Sequence, residues 1–141
     1  MSSFRISRQE GMTTTLRQKI RFRASASALY DAFLSAKTHA AFTGAPARIS
    51  DKPGAKFRVV DYATGENLSL TKGRQIIQTW RADDWDEAAP DSVLILNFSD
   101  DGTLEMVHAG VPDDQKAALA DGWRQYYWKP LRAYLKNAQA R

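Results

Sequence analysis

The chain has 141 residues and no cysteine, so it has the size of one domain, and disulfides, thiolate metal sites and cysteine nucleophiles are excluded. Its net charge of +4 is uneven: residues 1–60 hold 11 Lys or Arg against 3 Asp or Glu, and residues 61–141 hold 9 against 13. The basic excess lies largely on one predicted strand without interleaved aromatic residues, so no nucleic-acid partner is expected. No apolar run approaches the roughly 20 residues that span a bilayer, so membrane insertion is not expected, and the lack of cysteine suits a cytoplasmic protein.

The first predicted element is an edge strand. Residues 1–12 are polar and aperiodic, which predicts a disordered leader before a single domain over residues 13–141. Residues 15–23 then alternate cleanly, with basic side chains on one face. The other face carries Leu16, Gln18, Ile20 and Phe22. This alternation predicts a half-buried strand whose outward charges suit a sheet edge.

Two short helices are predicted next. Ser25 or Ser27 can cap a helix whose apolar face includes Leu29 and Phe33. Residues 38–43 predict a second helix that ends at Gly44. His39 lies on this second helix and is expected at the surface.

A run of strands separated by turns follows. The predicted strands are Ala47–Ser50, Lys56–Tyr62, Glu66–Leu70, Arg74–Arg81, Ser92–Phe98 and Thr103–Ala109. Turns are predicted at residues 51–54, at Thr64-Gly65 and at residues 100–102. The acidic loop 83–91, which contains Trp85, lacks the spacing of a calcium-binding loop and is expected to be solvated.

A long amphipathic helix ends the chain, over about residues 113–138. Apolar residues recur every four positions from Leu119 through Trp123, Tyr127 and Leu131, and Pro130 predicts a kink near residues 126–130. The element order therefore predicts an α+β fold in which this helix lies across a long antiparallel sheet. A curved sheet around the helix would leave a space between the two.

Few residues point to chemistry. His108 follows Leu104 and Met106 on one strand face, where a histidine is either a satisfied core residue or a hydrogen-bonding group or weak base in a cavity. The two histidines are far apart in the sequence and no Gly-rich phosphate motif is present, so neither a metal site nor a cofactor is expected. The aromatic residues of the strand and helix either fill the core or form a ligand cage; they are Trp80, Trp123, Tyr126, Tyr127 and Trp128.

The second half of the sequence carries a resemblance to a known family. The stretches are GRQIIQTWR from Gly73, Trp85, SVLILNF, GTLEMVHAGVP and GWRQYYWKPLRAYL from Gly122. They resemble the heat-shock-protein-90 ATPase activator family, in its C-terminal START-like domain of the helix-grip (SRPBCC) superfamily, over about residues 15–138. The resemblance implies a curved antiparallel sheet of about seven strands around the C-terminal helix, with two short helices after the first strand. Gly54-Ala55 departs from the expected glycine pair.

The sequence leaves three hypotheses about the function open. The leading one is a non-catalytic START-like module that binds a small apolar or amphipathic ligand between sheet and helix, in a cavity lined by Phe57, Leu68, Trp80, Leu94, Met106, His108, Trp123, Tyr127 and Leu131. The first alternative is interaction with a heat-shock-protein-90-type chaperone partner. Against it, the family's eukaryotic co-chaperones carry an additional N-terminal domain for that contact, for which 141 residues leave no room. The second alternative is a cyclase or hydrolase in the same cavity. The oligomeric state is left open.

Overall fold

The sheet has seven strands, antiparallel throughout, and two short helices follow its first strand. A computed structural model describes residues 12–139, so the predicted leader lies, apart from Met12, outside the described residues. The strands are β1 (Thr13–Arg21), β2 (Ala47–Arg48), β3 (Lys56–Val59), β4 (Ala63–Thr71), β5 (Gln75–Ala82), β6 (Ser92–Phe98) and β7 (Thr103–Pro112). Their order in the sheet is β1-β7-β6-β5-β4-β3-β2, which places β1 at one edge and β2 at the other. The predicted α+β architecture is confirmed.

The two short helices begin and end where their capping residues stand. Helix α1 (Ala26–Leu34) begins after Ser25, whose hydroxyl accepts a hydrogen bond from the Ala28 amide at 3.1 Å. Helix α2 (Ala36–Thr43) ends at Gly44, which adopts a left-handed φ of 77°. Both helices bury aromatic side chains, such as Phe33 and Phe42, in the core.

The C-terminal helix is built from several segments. A 3₁₀ turn (Asp113–Gln115) leads into α3 (Lys116–Gly122), a π-helical segment (Trp123–Trp128) and α4 (Lys129–Gln139). The irregular segment falls just before Pro130, where the sequence predicts a kink, because proline lacks the amide hydrogen that a regular helix needs. It buries Trp123, Tyr127 and Trp128 within one stretch of six residues.

A side chain of the edge strand fastens this irregular helix to the sheet. Gln18 on β1 donates from Nε2 to the Ala120 carbonyl at 3.0 Å and accepts from the Trp128 indole Nε1 at 2.6 Å. The clamp satisfies an amide and an indole N–H that would otherwise be costly to bury. It fixes the distance between β1 and the helix.

The predicted turn at Thr64-Gly65 is wrong. β3 ends at Val59, the chain turns through Asp61 at a left-handed φ of 67°, and Gly65 lies inside β4 opposite Phe57 and Trp80. A Cβ atom at Gly65 would lie 1.9 Å from the Thr79 carbonyl oxygen. This glycine therefore permits a close backbone approach, whereas an aspartate tolerates the left-handed turn.

Membrane insertion was not expected from the sequence. Among residues 12–139, no helix combines the length and the apolar character that crossing a membrane requires.

Candidate ligand-binding groove

Eight of the nine side chains predicted to line a cavity lie in the interior. Phe57, Trp80, Leu94, Met106, His108, Trp123, Tyr127 and Leu131 are each at most 6% exposed. Leu68 is 48% exposed, and its predicted position facing the helix is wrong. The pairing of β4 with β5 is irregular between Asn67 and Ser69, so Leu68 falls in a bulge that strict alternation does not anticipate.

His108 is held in one protonation state by three neighbours. The Trp123 indole Nε1 donates to His108 Nδ1 at 3.2 Å, so Nδ1 carries no proton. His108 Nε2 therefore carries the proton and donates to Ser92 Oγ at 2.8 Å, and the Ser92 hydroxyl donates to the Trp80 carbonyl at 2.7 Å. Burial lowers the pKa of this histidine to about 3.

His39, expected at the surface, is instead 2% exposed. Its Nδ1 donates to the Phe33 carbonyl at 2.9 Å, and its Nε2 accepts from the Tyr127 hydroxyl at 2.9 Å. Burial lowers the pKa of His39 to about 4, although the hydrogen bond to Phe33 opposes this shift. Burial also raises the pKa of Tyr127. A sequence pattern on a helix of eight residues does not reveal this tertiary hydrogen bond.

The two histidines therefore anchor the C-terminal helix to the rest of the fold. His108 on β7 binds Trp123, and His39 on α2 binds Tyr127, one helical turn further along. Neither ring nitrogen of either histidine is left free to accept a proton from a substrate. The Ser92–His108 pair has the serine proton directed at a carbonyl and the histidine proton directed at the serine, the reverse of what a nucleophile and its base require.

An open groove lies where the C-terminal helix meets the β3–β4 turn and the end of β5. We call it the aromatic groove; it has a volume of about 400 Å³ and is lined by Asp61, Tyr62, Trp80, Ala82, Leu119, Gly122, Trp123, Tyr126 and Tyr127. Three of the predicted cavity residues line it, namely Trp80, Trp123 and Tyr127. Tyr126, one of the cage candidates, stands at its edge with 58% of its surface exposed.

The walls of the aromatic groove are rings in mutual contact. The Tyr62 ring centroid lies 5.8 Å from that of Tyr126 and 6.1 Å from that of Tyr127. Trp123 lies 4.7 Å from Tyr127 and 5.7 Å from Trp80. Such rings present broad apolar faces with few rotatable bonds.

Gly122 opens the helix side of the aromatic groove. A Cβ atom added there would have the Tyr126 ring at 3.9 Å as its nearest neighbour, so the space above the helix is open. Gly122 belongs to the motif that carries the family resemblance. Tyr62 lines the groove only because the β3–β4 turn places it beside the helix. Alternation along β3 offered no signal for that residue.

One rim of the aromatic groove is acidic. Asp61 stands at the tip of the β3–β4 turn, and the acidic loop begins beside it, because the Asp83 amide donates to the Tyr62 carbonyl at 3.0 Å. Burial and the neighbouring Tyr126 hydroxyl raise the pKa of Tyr62. The groove thus offers apolar faces inside and a carboxylate and hydroxyl groups at its mouth, which suits an amphipathic ligand.

The described residues bring together no metal-ligand cluster. Within residues 12–139, no group of three or more His, Asp or Glu side chains is arranged to hold a metal ion.

Known proteins match this chain in sequence and in fold. The family model described as "Activator of Hsp90 ATPase homolog 1-like protein" matches residues 23–136. The chain belongs to this family. The resemblance expected from the second half of the sequence is therefore confirmed and extends over most of the domain.

Curated relatives of this Hsp90-activator-like family are longer. A Dictyostelium discoideum protein named activator of 90 kDa heat shock protein ATPase homolog is 33% identical over 118 residues, which cover 80% of this chain and 30% of that one. The human protein named activator of 90 kDa heat shock protein ATPase homolog 1 is 28% identical over 123 residues, or 85% and 36%. The chain spans about a third of the length of these relatives.

Solved structures share the fold. A Plasmodium falciparum protein described as an HSP90 activator superposes with a TM-score of 0.75 at 23% identity, covering 89% of this chain and 97% of that one. A Mesorhizobium loti protein superposes with a TM-score of 0.71 at 18% identity, covering 88% and 98%. At these identities the likeness is one of fold alone.

Proposed function

We propose that this domain is a non-catalytic binding module that takes a small apolar or amphipathic ligand in the aromatic groove. The observation that carries the proposal is the groove itself: about 400 Å³ lined mainly by aromatic side chains, within the size range of small-molecule sites. Covering these rings with an apolar ligand is favourable, because the water over the apolar ring faces is released when the ligand binds.

A non-catalytic role is favoured by the state of the two histidines. Both are neutral, buried and hydrogen-bonded through both ring nitrogens, so they stabilise the helix that forms one wall of the groove. Asp61 is the acidic residue among those that line the aromatic groove. A single carboxylate with no base or nucleophile beside it favours ligand binding over catalysis.

A fluorescence titration tests this proposal. Wild-type protein is titrated with 1-N-phenylnaphthylamine, a neutral apolar dye, and we expect saturable binding in the micromolar range, about −8 kcal/mol. Gly122→Leu should weaken this binding at least about tenfold, because the leucine side chain enters the open space above the helix.

The matched control places the same side chain on the same helix outside the groove. Ala118 is exposed in α3 and does not line the aromatic groove, so Ala118→Leu should bind the dye as the wild type does. Equal binding by Gly122→Leu and Ala118→Leu, with both proteins folded, would place the dye elsewhere. No binding of any apolar probe to the wild type would refute the proposal.

A second candidate function is favoured by the family match and by the 33% identity to the Dictyostelium protein. This candidate is a contact with a heat-shock-protein-90-type chaperone. In that case Tyr126, exposed at the edge of the aromatic groove, is the side chain we expect to enter the interface. Tyr126→Ala would then weaken chaperone binding, whereas Gln125→Ala on the neighbouring exposed position would not.

A further inference from the structure

The charge at the mouth of the aromatic groove indicates which kind of ligand the groove favours. Asp61 is the acidic residue that lines it, and none of the described residues that line it is Lys, Arg or His. The Asp61 side chain is exposed and has no ion-pair or hydrogen-bond partner among residues 12–139. The mouth of the groove therefore carries a negative charge that no ion pair within that part of the chain neutralises.

Basic side chains of the adjoining strands lie on the other face of the sheet. Arg81 alternates along β5 with Trp80 and Ala82, which line the groove, and its guanidinium binds the Asp91 carboxylate at 3.0 Å. Arg58 alternates along β3 with two buried residues, so it points away from the core. These two cations therefore do not share the groove with the free carboxylate.

Negative charge continues beyond Asp61 along the rim. The Asp83 amide donates to the Tyr62 carbonyl at 3.0 Å, which places the start of the acidic loop beside the β3–β4 turn. Asp83 and Asp84 are both exposed. The net charge of the chain is +4, which repels cations at long range, so a preference for a cationic ligand would be a local property of this rim.

Two tyrosine rings stand at the mouth beside the carboxylate. Tyr62 follows Asp61 directly and is half-buried, and Tyr126 on the helix is 58% exposed. Their ring centroids lie 5.8 Å apart with the planes inclined by 55°. The face of an aromatic ring is its electron-rich side and attracts a cation within about 6 Å of the centroid. Because both rings line the groove, a cation at its mouth can lie within that distance of both.

The floor of the groove suits an apolar tail. The Trp123 indole N–H and the Tyr127 hydroxyl hydrogen are both donated to the two buried histidines, so these side chains present carbon surface to the groove. Leu119 continues this lining along the helix. A volume of about 400 Å³ leaves room for more than a small head group.

We propose that the ligand of the aromatic groove is a small amphipathic molecule with a quaternary ammonium head, which lies against Tyr62 and Tyr126 beside Asp61. Its apolar tail lies on the floor of the groove. This inference rests on the proposed function and names the chemical class of its ligand. A quaternary head carries positive charge but no N–H group, so ring faces and one carboxylate satisfy it without further hydrogen-bond acceptors.

Other head groups fit the mouth less well. A primary ammonium has three N–H donors, each of which needs an acceptor when it leaves water. A carboxylate head, as in a fatty acid, would meet the like charge of Asp61 without a lining cation to balance it. The groove is therefore expected to favour cationic amphipathic ligands over neutral ones, and neutral ones over anionic ones.

Two fluorescent probes that differ at one atom test the proposal. The cationic probe is 2-(dansylamino)ethyltrimethylammonium, and the neutral probe is N-(3,3-dimethylbutyl)dansylamide, in which carbon replaces the charged nitrogen. Each is titrated into the wild type at an ionic strength of about 100 mM, and dansyl emission reports binding. We expect the cationic probe to bind at least about fivefold more tightly. A purely apolar groove would instead prefer the neutral probe, which loses its water more readily.

A pair of carboxylate variants locates the charge effect. Asp61→Asn keeps a residue that tolerates the left-handed φ of 67° and should weaken binding of the cationic probe at least about threefold, with binding of the neutral probe changed by less than about twofold. Asp31→Asn is the matched control on α1. Asp31 is exposed and lines another cleft together with Leu70, which lies seven residues, about 23 Å, along β4 from Ala63 at the groove end. It should change the binding of neither probe.

A pair of variants at Tyr126 tests the role of the ring. Tyr126→Leu should reduce the ratio of cationic to neutral affinity at least about twofold, because an aliphatic side chain has no electron-rich face. Tyr126→Phe retains the ring and should retain the ratio. A ratio of two affinities measured in the same variant is unaffected by a general weakening of the groove.

Several results would overturn the proposal. Equal affinity for the two probes, or tighter binding of the neutral one, would overturn it while leaving the proposed apolar ligand in place. Binding of neither probe would refute the proposed function as well. Equal losses in Asp61→Asn and Asp31→Asn would show that net charge sets the preference. Displacement of the cationic probe by a trimethyllysine peptide at lower concentration than by unlabelled probe would assign the groove to a partner protein.

Discussion

The buried histidines predict a loss of stability in mild acid. In the unfolded chain both have the ordinary pKa of 6.5, whereas in the folded protein burial lowers the pKa to about 4 for His39 and about 3 for His108. The unfolded state therefore binds protons first as the pH falls. Stability is fully present above pH 6.5 and is lost progressively below it, toward these folded-state pKa values.

The expected magnitude follows from the two shifts. Between pH 7 and pH 5 the unfolded form of each histidine gains about 2 kcal/mol from protonation that the folded form does not, so the two together remove about 4 kcal/mol. For a domain of this size that corresponds to a fall in melting temperature of roughly 10–15 °C. Histidine is the side chain whose ordinary pKa lies between pH 5 and pH 7, and the chain has 2 histidines, both in this buried network.

Thermal melts at pH 7, 6 and 5 measure this loss in the wild type and in two variants. A glutamine amide can donate and accept as the neutral imidazole does, without titrating, so His39→Gln and His108→Gln should each remove about half of the pH dependence. The double variant should have a nearly constant melting temperature over this range. A flat profile in the wild type, or an unchanged slope in the double variant, would refute the account of the buried network.

Three further predictions concern the fold and the family. Gly65→Ala should lower the free energy of unfolding by more than about 3 kcal/mol or prevent folding, because the added Cβ would clash with the Thr79 carbonyl, whereas Gly122→Ala should raise it by about 0.5–1 kcal/mol. Urea titrations measure both changes, and equal effects of the two variants would contradict the placement of Gly65. By the same assay, Leu94→Ala should lower the free energy of unfolding by about 2–5 kcal/mol, and substitution of the exposed Leu68 by Ser should lower it by less than about 0.5 kcal/mol. A larger loss in Leu68→Ser would show that Leu68 is buried. We expect no several-fold stimulation of heat-shock-protein-90 ATPase turnover by the 141-residue chain alone, because the match spans 30% of the Dictyostelium discoideum activator and 36% of the human one; a saturable rise would favour the chaperone function instead.

The sheet and the C-terminal helix can be predicted from the sequence because their apolar residues recur periodically. Alternation along residues 15–23 correctly separated the buried Leu16 from the exposed Arg17, and the four-residue recurrence from Leu119 to Leu131 located the C-terminal helix. Turns at the ends of strands were harder. A bulge after Asn67 and a close approach at Gly65 depend on backbone geometry between strands, which the local pattern does not encode.

Only some of the residues of the candidate site can be predicted from the sequence. Trp80, Trp123 and Tyr127 were found from their places on a strand and a helix. Tyr62 enters the groove through a turn, and His39 is buried through a partner 88 residues away, so neither can be placed without the tertiary structure.

The central claim, that a ligand occupies the aromatic groove, is tested most directly by the four tryptophan indole signals in a ¹H–¹⁵N spectrum. Trp80 and Trp123 line the groove, whereas the Trp128 indole is bonded to Gln18 on the side of β1. On titration with the apolar dye we predict saturable shifts of the Trp80 and Trp123 signals that are larger than the shift of the Trp128 signal. Shifts largest at Trp128, or no shift of the Trp80 and Trp123 signals at saturating dye, would contradict the claim.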